Sequence, residues 1–261
     1  MNFLELLNTK PNRDLTYGNY FNSQSDILNI TSDFYFNNHF LIVSGKRGSG
    51  VTHLLSGLCN TYLREEKKAI YVTAQSLAYM ISLLKSDEDY NLLFDHLSQQ
   101  ELIVIDNFQF FYKKSQRYMQ FILQIIHYTK LKKIKLVLGC SDHQKDLTKN
   151  KRLMHGLKMK RLDLKELSSY DVFMILRNKC SMEDQIPDAL LFAISAYNGM
   201  IQQHIHCLIS IRFNPLFKII SAKDLTADEF DELFNIKSFF STQQFRKCFS
   251  QTRLDFPQLD F

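Results

Sequence analysis

Residues 39–53, HFLIVSGKRGSGVTH, constrain the fold more than any other stretch of this chain. Residues 40–43 are continuously apolar, as in a strand that is buried on both faces of a sheet. The glycines Gly45, Gly48 and Gly50 allow the tight turn that directs backbone N–H groups at a phosphate. The stretch therefore predicts a buried strand, a phosphate-binding loop and the start of a helix.

This loop departs from the usual pattern GxxxxGK[ST] at one position. Its residues are Gly45, Lys46, Arg47, Gly48, Ser49, Gly50, Val51 and Thr52. Thr52 stands where such a loop needs a hydroxyl for Mg²⁺, whereas Val51 replaces the lysine that would reach the β- and γ-phosphates. Lys46 or Arg47, inside the loop, would have to supply the missing charge.

A second apolar run, residues 102–105, leads directly into Asp106. An aspartate in this place emerges at the carboxyl edge of a parallel sheet, beside the phosphate loop, and is the Walker B arrangement that holds Mg²⁺ with Thr52. The next residue, Asn107, stands where hydrolysing relatives have a second acid. An amide can position water but cannot accept its proton.

Strands alternate with helices along most of the chain, which predicts a three-layer α/β fold with a parallel sheet. We expect strands at residues 40–43, 69–73, 102–105, 134–139 and 159–164, and helices at 23–35, 52–65, 76–85 and 116–130. Three further helices, at about 168–180, 187–197 and 200–212, predict a small C-terminal lid. The expected organisation is a lead-in (1–15), an α/β core (16–166), a helical lid (167–213) and a C-terminal tail (214–261).

Composition favours a cytoplasmic protein with a sizeable core. The chain has 261 residues, of which 45% are hydrophobic, and no apolar run reaches the 18 residues of a membrane span. The N-terminus lacks the pattern of a signal peptide. The five cysteines include no CxxC pair, which favours reduced thiols.

Positive charge is concentrated in one part of the chain. Residues 113–165 contain 15 basic and three acidic residues, although the net charge of the whole chain is only +5. This asymmetry favours contact with nucleic acid. The lysines proposed to flank one groove for single-stranded DNA are Lys113, Lys114, Lys130, Lys132 and Lys133; the alternative is a merely solvated lysine-rich surface.

Five segments in the same order resemble the AAA+ P-loop ATPases of the DnaA and Hda clade. LTYGNYFNSQSD resembles the opening box of the family, GKRGSGVTHLL its GxxGxGKTHLL, and VIDNFQFF its IDDIQFL. LGCSD, ending at Asp142, is similar to the sensor 1 segment. RLMHGL resembles RFxxGL and would place Arg152 at the arginine-finger position, which reads a neighbour's nucleotide in a homo- or hetero-oligomer.

The resemblance also shows what this chain has changed. Val51 and Asn107 replace phosphate- and water-handling residues, and Gln202 replaces the sensor 2 arginine if residues 199–201 open the corresponding lid helix. The C-terminal helix-turn-helix DNA-binding domain of DnaA is expected to be lacking. The resemblance thus implies a degenerate member that acts in replication initiation or its regulation. It would be a non-hydrolysing adaptor for replication proteins, with a DnaA-like initiator, a sliding clamp or a helicase as candidates, and for single-stranded DNA.

Two alternatives stay open. One is a slow ATPase or an ADP-bound switch that uses Lys46 or Arg47; the other is a helicase-loader or transposition-type factor that binds DNA. The ligand would be ADP or ATP with Mg²⁺, and its binding is expected to be weak or lost.

The C-terminal residues resemble a clamp-binding peptide. Gln258, Leu259 and Phe261 are similar to the QL[SD]LF peptides that replication proteins insert into the sliding clamp, although the pattern here is one residue short. The alternative is an apolar strap that folds back onto the core.

Overall fold

A computed structural model describes residue 7, residues 11–113, 116–140 and 160–180, and residues 191, 194 and 195. The chain divides into two compact units. The first comprises Met1–Tyr20 and Gln24–Glu166, and the second comprises Phe21–Ser23 and Leu167–Phe261. The phosphate loop and the Walker B strand both belong to the first unit.

The first unit is built on a five-stranded parallel sheet, as the sequence predicts. The strands are β1 (Phe40–Gly45), β2 (Ala69–Thr73), β3 (Leu102–Asp106), β4 (Lys135–Cys140) and β5 (Lys160–Leu164). Their order is β2-β3-β4-β1-β5, so the loop strand β1 lies between β4 and β5. Residues 40–44 of β1 are buried because both faces of the sheet are covered.

Helices cover the sheet on both sides and complete the predicted three layers. The helices of this unit are α1 (Ile27–Asn37), α2 (Val51–Arg64), α3 (Ala74–Leu83), α4 (Asp87–Ser98) and α5 (Gln116–Lys132). The first two pack on one face of the sheet, and the other three pack on the opposite face. Short 3₁₀ helices lie at Tyr17–Asn19 and Phe108–Lys113.

The sequence did not predict α4, although its start carries a clear signal. Ser86 accepts the N–H of Asp89 (3.2 Å), and the Asp89 carboxylate accepts the N–H of Ser86 (2.9 Å), which is a capping box. Leu93 and Leu97 are buried one turn apart. The run of three acids at the helix start obscures this short apolar pattern.

The lead-in is fastened to α2. Asn60 donates from Nδ2 to the carbonyl oxygens of Asn12 (2.9 Å) and Leu15 (2.8 Å), and Leu7 lies in the hydrophobic core. Leu7 and residues 12–15 therefore form part of the packed unit.

In the second unit, the structure describes one complete helix, α6 (Ser169–Lys179). Ser168 caps it by accepting the N–H of Asp171 (3.1 Å), and the buried Asp171 carboxylate accepts the N–H of Ser23 (2.6 Å). Most residues of the other predicted lid helices, and the tail, lie outside the described residues.

Candidate functional site

The phosphate loop lies between the end of β1 and the start of α2. Gly48 and Gly50 have φ angles of 92° and 94°, in the left-handed region that glycine adopts without a steric penalty. The N–H of Ser49 donates to the carbonyl oxygen of Lys46 (3.0 Å), which closes the turn. Gly50 caps α2 in the left-handed conformation, so the first N–H groups of this helix face the loop.

Ser49 is the polar residue at the floor of this loop. Its side chain is buried, and its Oγ bonds to no residue that the structure describes. Gly45 leaves room for this hydroxyl, because a Cβ at that position would collide with Ser49 Oγ. A buried hydroxyl with unused bonding capacity is consistent with an anion site at the start of α2.

Val51 closes the floor of the loop with an apolar side chain. It is only 4% exposed and belongs to the core cluster that contains Leu54, Leu55 and Val43. It also lies against β4, since a Cβ at Gly139 would be 3.3 Å from Val51 Cγ1. The side chain at the lysine position therefore packs into the core and does not reach into the loop.

The two cations inside the loop stand at its rim. Lys46 forms an ion pair with Glu166, and both side chains are more than half exposed. Arg47 is exposed and makes no ion pair with any residue in the described ranges. Exposed charges are screened by water, which weakens their attraction for a phosphate.

Asp106 lies beside the loop, and its carboxylate accepts hydrogen bonds from neighbouring residues of this chain. It is 2% exposed, and its Oδ2 accepts hydrogen bonds from Thr52 Oγ1 (2.8 Å) and Tyr71 OH (2.7 Å). Its Oδ1 accepts the N–H of Asn107 (2.7 Å). The two residues assigned to Mg²⁺, Thr52 and Asp106, are thus joined by a hydrogen bond, and the carboxylate accepts two more, from Tyr71 and from the N–H of Asn107.

Tyr71 is the site residue that sequence reasoning missed. It lies on β2 beside β3 and is buried, and burial followed by the Asp106 charge raises its pKa well above the ordinary value of tyrosine. The phenol therefore stays protonated and donates to the carboxylate. The available signal was a tyrosine within an otherwise apolar strand next to the Walker B strand.

Asn107 has a structural reason to be asparagine. Its φ is 56°, in the left-handed region that asparagine tolerates better than most residues. The Oδ1 of Asn107 accepts a hydrogen bond from Gln109 Nε2 (3.4 Å), and the N–H of Asn107 donates to the Asp106 carboxylate.

Several predicted site residues cannot be placed. Asp142, Arg152, Gln202, Lys114, Gln258, Leu259 and Phe261 lie outside the described residues, so their roles stay predictions. For Lys113 the structure gives the backbone, at the end of the 3₁₀ helix that precedes α5.

The remaining lysines of the proposed DNA groove lie at the other end of α5. Lys130, Lys132 and Lys133 are exposed at its C-terminus, and the 17 residues of the helix span about 25 Å at 1.5 Å per residue. A groove shared by all five lysines would have to follow the whole length of this helix.

A groove of about 550 Å³ does lie between α4 and the first half of α5. Its floor is aromatic, with ring centroids of Tyr90 and Phe94 at 5.8 and 6.0 Å from that of Phe121. Its rim is polar and comprises Asp87, Asn91, Arg117, Gln120 and Gln124. Sequence reasoning did not identify this groove, because it did not identify α4.

Two searches found nothing further in the described part of the chain. None of its helices is long and apolar enough to cross a membrane. None of its His, Cys, Asp and Glu side chains form a cluster of three or more that would hold a metal ion.

Known proteins resemble this chain in sequence and in fold. The family described as the bacterial DnaA ATPase domain matches residues 21–160, more than half of the chain. An uncharacterized protein of Haemophilus influenzae is 37% identical over 70 residues, which is 27% of this chain and 26% of that protein. The chain therefore matches about a quarter of the length of this curated relative.

Among solved structures, domain III of Thermotoga maritima DnaA superposes with a TM-score of 0.67 and 18% identity, covering 89% of this chain and all of that one. AMPPCP-bound DnaA of Aquifex aeolicus has a TM-score of 0.64 and 18% identity, covering 80% of this chain and 68% of that one. A replication initiator DnaA bound to AMPPCP and single-stranded DNA has a TM-score of 0.62 and 14% identity, covering 95% of each chain. At these identities the structures show a shared AAA+ fold.

Proposed function

Because the chain belongs to the family of bacterial DnaA ATPase domains, we propose that it acts in replication initiation or its regulation as an adaptor that does not hydrolyse nucleotide. Family membership supports the link to replication. The adaptor role rests on the state of the phosphate loop, where the fold is kept and the groups that act on phosphate are replaced.

The proposal rests on one observation: the side chains of Asp106 and Val51 are both buried in the folded core. Asp106 receives hydrogen bonds from Thr52 and Tyr71 on one carboxylate oxygen, and Val51 packs at the lysine position. A metal held directly by this carboxylate oxygen would have to displace the Tyr71 hydroxyl, whereas Thr52 could hold Mg²⁺ through its lone pairs and still donate to Asp106. Because position 51 offers no lysine, the residues present do not fit a triphosphate held for hydrolysis, although the backbone N–H groups and Ser49 retain part of an anion site.

The lost groups are those that stabilise charge during phosphoryl transfer. In that reaction the protein acts almost wholly by positioning and by electrostatic stabilisation. Removing one preorganised donor from such a site typically costs about 3 kcal/mol of transition-state stabilisation. Here the lysine is replaced by Val51 and the second acid by Asn107, so turnover is expected to be negligible.

Nucleotide binding is tested by isothermal titration of the full chain with ADP and with ATP in the presence of Mg²⁺. The adaptor proposal expects binding that is weak or undetectable. The slow-ATPase alternative expects tight binding that is lost in Lys46→Ala or Arg47→Ala. The matched control is Arg64→Ala, which removes an exposed cation at the far end of α2.

The groove between α4 and α5 supports single-stranded DNA as a ligand of this adaptor. A related DnaA has been solved with single-stranded DNA. In this chain, the half-buried rings of Tyr90 and Phe94 line the groove, where bases could stack on aromatic side chains, and Arg117 offers a cation for a phosphate. The backbone of Lys113 lies just before α5, near the same end of the groove.

DNA binding is tested by fluorescence anisotropy with an oligothymidylate at increasing salt. Affinity should fall steeply as salt rises, because neutralised phosphates release counterions. Arg117→Ala should weaken binding and lower the salt slope by about 1, as for one lost phosphate contact. Arg64→Ala serves as control, and equal binding by the two variants would exclude this groove.

A further inference from the structure

The two most exposed large apolar side chains in the described part of the chain lie at the same edge of the sheet. Phe36 is 76% exposed near the end of α1, and Leu131 is 78% exposed near the end of α5. Both helices end where the strands begin, at the amino edge of the sheet, because β1 follows α1 and β4 follows α5. The phosphate loop lies at the opposite, carboxyl edge.

The two helices end just before neighbouring strands. β1 and β4 are neighbours in the sheet, and the N–H of Leu136 donates to the carbonyl oxygen of His39 (2.8 Å). Lys135 Nζ donates to the carbonyl oxygens of Phe34 (2.9 Å) and Tyr35 at the end of α1. The end of α1 therefore contacts the start of β4, three residues after α5, although α1 and α5 cover opposite faces of the sheet.

Positive charge is concentrated at the end of α5. Lys130, Lys132 and Lys133 are exposed on either side of Leu131. The residues before β2 and β3 at this edge are balanced in charge, since Arg64, Lys67 and Lys68 stand with Glu65, Glu66 and Glu101. Of these, Glu65 and Lys67 bond to the Tyr35 hydroxyl next to Phe36, so the excess of positive charge is at the Leu131 side of the patch. Lysines at a helix C-terminus complement the helix dipole, but the dipole gives no reason to expose a leucine among them.

We propose that this amino-edge patch, formed by Phe36, Lys130, Leu131, Lys132 and Lys133, binds an acidic protein segment that carries an apolar side chain. The lysines attract carboxylates, and Phe36 and Leu131 provide the apolar contact that becomes buried at the centre of such an interface. Leu131, the apolar residue among the lysines, is aliphatic and offers no ring for base stacking, and Phe36 is the one aromatic residue of the patch, so the lysine-rich part fits a peptide better than a nucleic acid.

The proposal deepens the adaptor function and rests on it for the partner being a protein. Because the patch and the phosphate loop lie at opposite edges of one sheet, a partner at the patch does not compete with a nucleotide. Binding should weaken with salt, since the lysines are exposed.

The test is a selection of random 12-residue peptides displayed on phage against the purified full chain. Selected peptides are synthesised, and their affinities are measured by fluorescence anisotropy. The patch variant combines Leu131→Ser with Lys132→Glu. The control variant combines Leu92→Ser with Lys85→Glu, which makes the same chemical changes at exposed residues in and before α4.

The expected result is enrichment of peptides with several Asp or Glu residues around a Leu or Phe. The patch variant should bind them at least about tenfold more weakly than the wild type and the control variant, as for loss of an interface hot spot. Equal melting temperatures of the three proteins show that folding is unchanged.

Two results would overturn the proposal. One is selection of peptides without acidic character, or of acidic peptides that bind the patch variant as well as the wild type. The other is loss of oligothymidylate binding, but not of peptide binding, in the patch variant, which would make the patch a nucleic-acid surface. ATP turnover, measured separately, would contradict the non-hydrolysing function and leave the patch result standing.

Discussion

At the scale of single residues, the floor of the phosphate loop consists of side chains that satisfy one another. Thr52 and Tyr71 donate to Asp106, and Val51 packs against the core. The sequence identified three of these residues, because the loop and Walker B patterns fix their positions. Tyr71 could not be identified in this way, since its role depends on the register of β2 and β3, which a linear pattern does not contain.

Val51→Lys should destabilise the protein when no nucleotide is present. The lysine would have to bury a charge or push the start of α2 outward, at a cost of about 1–3 kcal/mol in the free energy of unfolding. Urea denaturation measures this cost, and Mg²⁺–ADP should recover part of it. Val51→Ala is the control, because it removes packing without adding charge and should not respond to nucleotide. A Val51→Lys protein as stable as the wild type without nucleotide would contradict the closed loop.

Tyr71→Phe should lower stability by removing one donor to the buried Asp106 carboxylate. A hydrogen bond to a charged group contributes about 1.5–3 kcal/mol, so a loss of this size is expected in the free energy of unfolding. Tyr79→Phe is the matched control, since the Tyr79 side chain is more than half exposed. Equal losses in the two variants would show that the Tyr71–Asp106 hydrogen bond contributes nothing specific.

At the scale of elements, strands were easier to predict than helices. All five strands were predicted to within two residues of their observed ends, because a parallel strand covered on both faces is a short, continuous apolar run between polar turns. Helix α4 was missed, since only Leu93 and Leu97 are buried along its 12 residues. The α4–α5 groove was missed with it, so the sequence did not predict this part of the candidate DNA site.

The capping box of α4 makes a testable contribution to stability. Ser86→Ala should lower the free energy of unfolding by about 1 kcal/mol, as for other N-cap residues. Ser25→Ala, an exposed serine before α1, is the control. Denaturation experiments on the two variants compare their free energies of unfolding, and equal values would argue against the cap.

Asp89 makes this cap sensitive to acid. The N–H groups of Lys85 and Ser86 donate to its carboxylate, and they lower its pKa below the ordinary value of 3.8. Its stabilising effect is therefore complete at neutral pH and is lost as the pH falls through the lowered pKa. The stability difference between the wild type and Asp89→Asn should shrink between neutral pH and about pH 3. A difference that stays constant would contradict this linkage.

At the scale of the whole molecule, the sequence showed that positive charge is concentrated but not where it lies in space. Residues 113–165 hold the excess, yet α5 separates Lys113 and Arg117 from Lys130, Lys132 and Lys133 by most of its length. One end adjoins the aromatic groove, and the other forms the amino-edge patch. The two ends are therefore expected to serve different ligands.

Charge reversals at the two ends of α5 should have different effects on DNA binding. Lys132→Glu with Lys133→Glu should leave oligothymidylate affinity nearly unchanged at moderate salt, because these lysines lie beyond a Debye length from the groove, about 8–10 Å. Arg117→Glu should weaken binding clearly. Equal weakening by both changes, measured by anisotropy, would mean that the DNA follows the whole helix, as the groove predicted from the sequence requires.

The central claim is that this member of the DnaA family keeps the fold of an ATPase without its chemistry. Single-turnover hydrolysis of radiolabelled ATP by excess full chain tests it most directly, with Asp106→Asn as the matched variant. The account predicts that both proteins release phosphate at the uncatalysed rate. Hydrolysis by the wild type that Asp106→Asn abolishes would contradict it, and would identify Lys46 and Arg47 as the cations to examine next.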